Sequence, residues 1–297
     1  MLEGQTLPGR GRLADYSNLV RLPHTVFALP FAVVGLVMAS YRFPVHLGDV
    51  FWILLAFTSA RFAAMGFNRV VDRGFDARNP RTEGRELPSG KLSAREAGVA
   101  VVAAGGVFVL SAGMLNPLCL ALSPLALGWV LLYSYTKRFT PWAHLVLGAA
   151  LAIAPVGGYL AVTGEWSDPA SALLLLAVAV ASWVAGFDVL YSLQDVDFDR
   201  HEGLHSFPAA FGAKGAILAS RLLHALSVAG FLALGFVVPE FGGLFFAGVA
   251  LVAAMLWYEQ SLVSADDLSR LDAAFFTVNG VISILFLGFV LVERLLV

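Results

Sequence analysis

RFAAMGFNRVVDRGFDARNPRTEGRELPSGK, Arg61 to Lys91, is the stretch in which an apolar segment of membrane length turns into a dense band of carboxylates and guanidiniums. GFDVLYSLQDVDFDRHEG, Gly186 to Gly203, has the same design. In the first, Asn68, Asp72 and Asp76 stand at i, i+4 and i+8, a spacing that lines their side chains up as a ladder on one helix face. Arg61 precedes Asn68 by seven residues, two turns deeper and near the same face. In the second, Asp188, Tyr191, Asp195 and Asp199 are spaced three, four and four, which predicts another single helix face, with Asp197 pointing elsewhere. Oxygen donors with no His or Cys beside them suit a hard cation such as Mg2+. Two carboxylates so close repel unless a cation or basic partners offset them. The competing reading of the first ladder is a surface ion-pair network with Arg69, Arg73 and Arg78, which leaves Asn68 and the deep Arg61 unexplained.

Outward from these stretches the chain is apolar. Of its 297 residues 59% are hydrophobic and 13% charged, against about 25% charged in soluble domains, and the mean hydropathy is +0.79. Long blocks of Val, Leu, Ala and Phe interrupted by Gly and Pro fit membrane helices better than the alternating strands of a barrel. The expectation is an all-α polytopic membrane protein, a single domain over residues 1–297 with a central cavity open to the cytoplasm. One Cys, Cys119, excludes a disulfide framework, and the N-terminal stretch does not read as a cleaved signal peptide.

Nine spans are expected: Thr25 to Ser40 after an amphipathic lead-in, then near 49–68, 96–115, 118–136, 142–162, 170–192, 213–237, 241–260 and 273–292. With the N-terminus inside, the inner segments hold 15 of the 19 basic residues and the outer side only Arg42 and Arg294. By the positive-inside rule this puts the N-terminus in the cytoplasm, the C-terminus outside, and both ladders on the cytoplasmic face of the plasma membrane. Residues 73–95 read as a cytoplasmic cap loop, broken by Pro80, Gly84, Pro88 and Gly90.

An Arg inside a span costs on the order of 3 kcal/mol on insertion scales, so Arg61 is expected to face a polar cavity and bind an anion. Two ladders on separate spans can hold two divalent ions from opposite sides, and the ligand between them should be a multiply charged anion. A diphosphate fits, its oxygens bridging the metals while Arg and Lys take the remaining charge. Beside lipid, a lipid diphosphate is the reading, with Arg61, Arg85, Lys91, Lys137, Arg138 and Arg200 as basic candidates. A secondary transporter is the rival from another class; it predicts polar residues continuing towards the outer face, whereas here charge gathers at one end. No nucleic-acid partner is expected, and the sequence sets no oligomeric state.

At these residues the chain resembles the UbiA family of intramembrane aromatic prenyltransferases. NRVVDRGFD carries the first signature at Asn68, Asp72 and Asp76, and DVLYSLQDVDFD the second at Asp188, Tyr191, Asp195 and Asp199. RELPSG, from Arg85 to Gly90, and YSYTKR, from Tyr133 to Arg138, are similar to further family segments. The resemblance implies Mg2+-dependent transfer of a polyprenyl group from polyprenyl diphosphate to a small aromatic acid in quinone biosynthesis. It also implies that the six Asn and Asp residues hold metal, that Arg61, Arg85, Lys137 and Arg138 contact the diphosphate, and that Asp72, Asp188, Arg61 and Tyr191 take part in catalysis. Arg21 falls to the acceptor side. Where 4-hydroxybenzoate enzymes carry a lysine in a GIKS-like segment, this chain has GLHSFP, with His205 in that place. That departure keeps 1,4-dihydroxy-6-naphthoate, in a menaquinone route, open beside 4-hydroxybenzoate. A non-aromatic acceptor is the remaining alternative. His24, His144 and His224 are scattered along the chain and are not expected to build a site.

Overall fold

The computed structural model describes residues 11–21 and 28–296, and every regular element among them is helical. In order these are α1 (Arg12–Leu19), α2 (Leu29–Ser40), α3 (Leu47–Asp76), α4 (Ala94–Leu115), α5 (Pro117–Thr136), α6 (Ala143–Thr163) and α7 (Ser171–Tyr191). After a 3-10 turn at Ser192–Asp195 come α8 (Val196–His201), α9 (Phe207–Val237), α10 (Gly243–Ser261), a π-helical segment Ala273–Val278 and α11 (Asn279–Leu296).

Eight helices among the described residues, not nine, are long and apolar enough to cross a membrane. The expected first span falls on α2, whose 12 residues rise only ~18 Å, short of the ~30 Å apolar core of a bilayer. Residues 25–27, which that expectation also covered, lie outside the described ones. Conversely α3 outlasts its apolar part. Its 30 residues rise ~45 Å, so helix continues past the expected span end near residue 68 through Asn68, Asp72 and Asp76, as the ladder spacing predicts. The polar segment is correspondingly shorter than expected, a run of turns from 77 to 93 with no helix in it. It stops where Ser93 and Glu96 form a reciprocal cap on α4, the Ser93 hydroxyl accepting from Glu96 N–H and the Glu96 carboxylate from Ser93 N–H.

The chain divides into two compact units, one of Met1–Thr25 and Phe51–Tyr135, the other of Val26–Val50 and Thr136–Val297. In the first, the amphipathic lead-in is seated rather than loose. Leu19 and Val20 at the end of α1 are buried with Leu92 and Ala97, flanked by Phe62, Met65 and Val70 of α3. Arg69 is drawn into this contact, buried and donating from Nε to the Leu19 carbonyl at 3.4 Å. In the second unit, Phe31 of α2, Trp183 of α7, Phe231 of α9 and Phe286 of α11 interlock, with Phe31 to Trp183 at 4.9 Å and Phe231 to Phe286 at 4.8 Å. Trp183 Nε1 donates to Asn279 Oδ1 at 2.7 Å, so Asn279 joins two helices as its place in a span predicts. Helix α9 is kinked at Gly212, whose φ of 74° lies outside helical space, so its straight part begins where the inner loop after the sixth expected span was expected to end.

Candidate active site

The first ladder occupies the last turns of α3. Asn68 Nδ2 donates to Asp72 Oδ2 at 2.9 Å, which orients the amide so that its oxygen is left as an acceptor. Asp76, one turn on, is buried and anchors the segment that follows. Arg85 Nη1 donates to Asp76 Oδ1 at 2.7 Å, and the Thr82 hydroxyl donates to the Asp76 carbonyl at 3.0 Å. The cap segment is thus folded onto the ladder, and Arg85, expected at the diphosphate, has a carboxylate partner. Asp76 Oδ2 is buried with no hydrogen-bond partner among the described residues. Two turns below Asn68, Arg61 Nε is likewise buried and without one.

The second ladder differs from its expectation. Helix α7 ends at Tyr191, Ser192–Asp195 form a 3-10 turn, and α8 carries Asp199. The tighter winding of a 3-10 turn advances each residue by about 120° rather than 100°, so the four residues do not share one uninterrupted α-helical face. Asp199 is nonetheless buried, with Oδ2 lacking a hydrogen-bond partner among the described residues, and Asp197 is exposed, as its register predicts. Tyr191 is held between two rings of the π-helical segment, stacked on Phe275 at 3.9 Å and edge-on to Phe276 at 5.7 Å.

Asp188 has a partner that the sequence reading dismissed. His144, in the first turn of α6, is buried, and its Nδ1 lies 2.6 Å from Asp188 Oδ2. The signal available was an ionisable ring inside an apolar span, where such groups are rare and functional by default. The approach is possible because Gly148, one turn along α6 from His144, lies against α7: a Cβ there would stand 2.2 Å from the Ala181 carbonyl oxygen. His205 is exposed, and its N–H donates to the Lys137 carbonyl at 2.6 Å, tying the GLHSFP loop to the end of α5. Arg138 is exposed beside it. Arg21 follows α1 with a positive φ of 45° and its N–H bonded to the Asn18 carbonyl.

Among the described residues no three His, Cys, Asp or Glu side chains cluster closely enough to hold a metal ion on their own. That suits Mg2+, which is commonly held by one or two carboxylates with the remaining positions taken by water and substrate phosphate. The unpartnered buried oxygens of Asp76 and Asp199 are the groups a cation would satisfy, and the all-oxygen donor set is the right chemistry.

The profile of the UbiA prenyltransferase family matches residues 28–281. The chain is 31% identical to the 4-hydroxybenzoate octaprenyltransferase of Alkalilimnicola ehrlichii, over 95% of each chain. It is 32% identical to the protein of the same name from Aromatoleum aromaticum, over 94% of each. The fold is similar to the apo structure of a UbiA homolog from Aeropyrum pernix K1, with a TM-score of 0.83 and 37% identity over 92% of this chain and 98% of that one. A UbiA homolog from Archaeoglobus fulgidus bound to DMAPP and Mg2+ shares the fold at a TM-score of 0.75 and 20% identity, over 95% and 100% of the two chains. With the signatures on α3 and α7, the family match across most of its length and relatives aligned end to end, this chain belongs to the UbiA prenyltransferase family.

Proposed function

We propose that the protein transfers a polyprenyl group from polyprenyl diphosphate to 4-hydroxybenzoate and releases diphosphate, with the residues of each acidic ladder serving as ligands for metal and diphosphate on the cytoplasmic side of the plasma membrane. The observation that carries this reading is the buried, unpartnered carboxylate oxygen on each ladder, Asp76 Oδ2 and Asp199 Oδ2, in a chain whose full-length relatives bear the name 4-hydroxybenzoate octaprenyltransferase.

Asn68, Asp72, Asp76, Asp188, Asp195 and Asp199 would hold two Mg2+ ions, which when bound neutralise charge on the diphosphate leaving group. Arg61 binds a diphosphate oxygen from below the first ladder, and Lys137 and Arg138 supply cationic charge at the end of α5. Arg85 holds Asp76 and with it the cap segment. As the allylic carbon–oxygen bond breaks, its electron pair leaves with the diphosphate. Positive charge develops on the allylic carbon, and the Tyr191 ring, steadied by Phe275, stabilises it. The ring carbon ortho to the phenolic hydroxyl attacks, and its proton passes to Asp188 or to the departing diphosphate, restoring aromaticity. Apolar side chains exclude the water that would otherwise quench the cation to an alcohol. Arg21 and the 204–208 loop serve the acceptor, and His205 in place of a lysine favours a second acceptor, 1,4-dihydroxy-6-naphthoate.

The test is to incubate the purified protein with Mg2+, a long prenyl diphosphate and each acid separately, and to identify products by mass. Prenylated 4-hydroxybenzoate is expected, with none formed by Asp72→Ala. Product from the naphthoate alone would replace the acceptor, and near-normal turnover by Asp72→Ala would overturn the two-ladder site. Transport of the substrate without chemistry would replace the enzyme by a carrier.

A further inference from the structure

The surroundings of the Asp188 carboxylate reach across helices. His144 faces it from α6 with a side chain only 2% exposed, and its ring has two neighbours. Nδ1 lies 2.6 Å from Asp188 Oδ2, and the Phe207 N–H, at the first turn of α9, points at Nε2 from 3.4 Å. A backbone N–H can only donate, so Nε2 is the lone-pair nitrogen and the ring proton is on Nδ1. In this geometry Nδ1 donates to Asp188 and Nε2 accepts from the start of α9. Its nearest helical neighbour on the same face, Gly148, lets α6 close on α7 so that this bond can form.

We infer that His144 is a positioning residue for prenyl transfer: it fixes the Asp188 carboxylate through Oδ2, leaves Oδ1 to the ladder's ligands, and locks that carboxylate to the start of α9. This rests on the reading that Asp188 belongs to the site. Because Phe207 directly follows the His205–Ser206 pair, and His205 N–H is bonded to the Lys137 carbonyl, the same imidazole ties Asp188 to the loop assigned to the acceptor. Conserving the Nδ1 donor alone should therefore restore Asp188 but not the loop.

The experiment compares the full-length protein with His144→Ala, His144→Asn and Asp188→Ala in detergent, using Mg2+, a prenyl diphosphate and 4-hydroxybenzoate. The Asn amide can place an N–H where Nδ1 stood but cannot reach the Nε2 position. Losing an outer partner of a metal-site ligand typically costs about 10- to 100-fold. His144→Ala is expected to lower kcat and raise the half-saturating Mg2+ concentration by that order. His144→Asn is expected to recover kcat and Mg2+ response while keeping a raised KM for the aromatic acid. Independently of turnover, 15N spectra of histidine-labelled protein should show one ring protonated at Nδ1, its signals absent from His144→Asn. This reading on the unaltered chain stands even if His144→Ala does not fold. His144→Ala at full rate, His144→Asn as impaired in kcat as His144→Ala, or an Nε2-protonated ring would each overturn the inference, provided Asp188→Ala is inactive. Full activity of Asp188→Ala would instead sink the proposed site itself.

Discussion

Arg61 and Arg85 show how differently two guanidiniums of one segment are used. Arg61 lies within α3 with Nε buried and unpartnered among the described residues, a cost that the proposed function assigns to anion binding. Arg61→Met should therefore lower kcat/KM for the prenyl diphosphate by about 30-fold, ~2 kcal/mol, without lowering the thermal unfolding temperature in detergent. A purely structural arginine would show the reverse. Arg85 is already paired, with side-chain exposures of 14% for itself and 10% for Asp76. Arg85→Ala should cost about 2 kcal/mol of local stability, seen as faster hydrogen exchange across residues 77–93. Asn68, Asp72 and Asp76 were legible in the sequence because their contacts are one helical turn apart. The Asp76 to Arg85 pair was not, because it closes a segment of turns that no periodicity describes.

Among the elements, the α6 and α7 pair decides most. The helices run antiparallel so that His144 meets Asp188 while Gly148 meets Ala181 and Ala185. Gly148→Ala would drive a methyl into the Ala181 carbonyl. The expected outcome is a loss of about 3 kcal/mol with lowered turnover, checked by thermal unfolding and product assay on the same preparation. The second ladder shows where spacing misleads. Intervals of three, four and four fit an α-helix, yet the backbone tightens to a 3-10 turn over Ser192–Asp195. Nothing in those residue types signals the change, since it depends on how α7 and the short α8 are joined. Tyr191 owes its orientation to Phe275 and Phe276, some 80 residues away in the chain.

At the scale of the whole molecule, eight membrane-length helices among the described residues and the family match make this a multi-pass membrane protein. Chelation with EDTA should abolish turnover and added Mg2+ restore it, measured by diphosphate release. With Cys119→Ser as background, Ser89→Cys should react with an impermeant maleimide only from the cytoplasmic side and Glu165→Cys only from the outside, as the basic-residue asymmetry requires. The membrane class, most of the apolar stretches and the helical register of the first ladder followed from the sequence alone, because transfer into lipid and contacts one turn apart are local properties of the chain. The broken second ladder, the Asp76 to Arg85 closure and the His144 to Asp188 bond were decided only in three dimensions. Each depends on which groups are brought together by packing between distant segments, and such pairings leave no periodic trace in the order of residues.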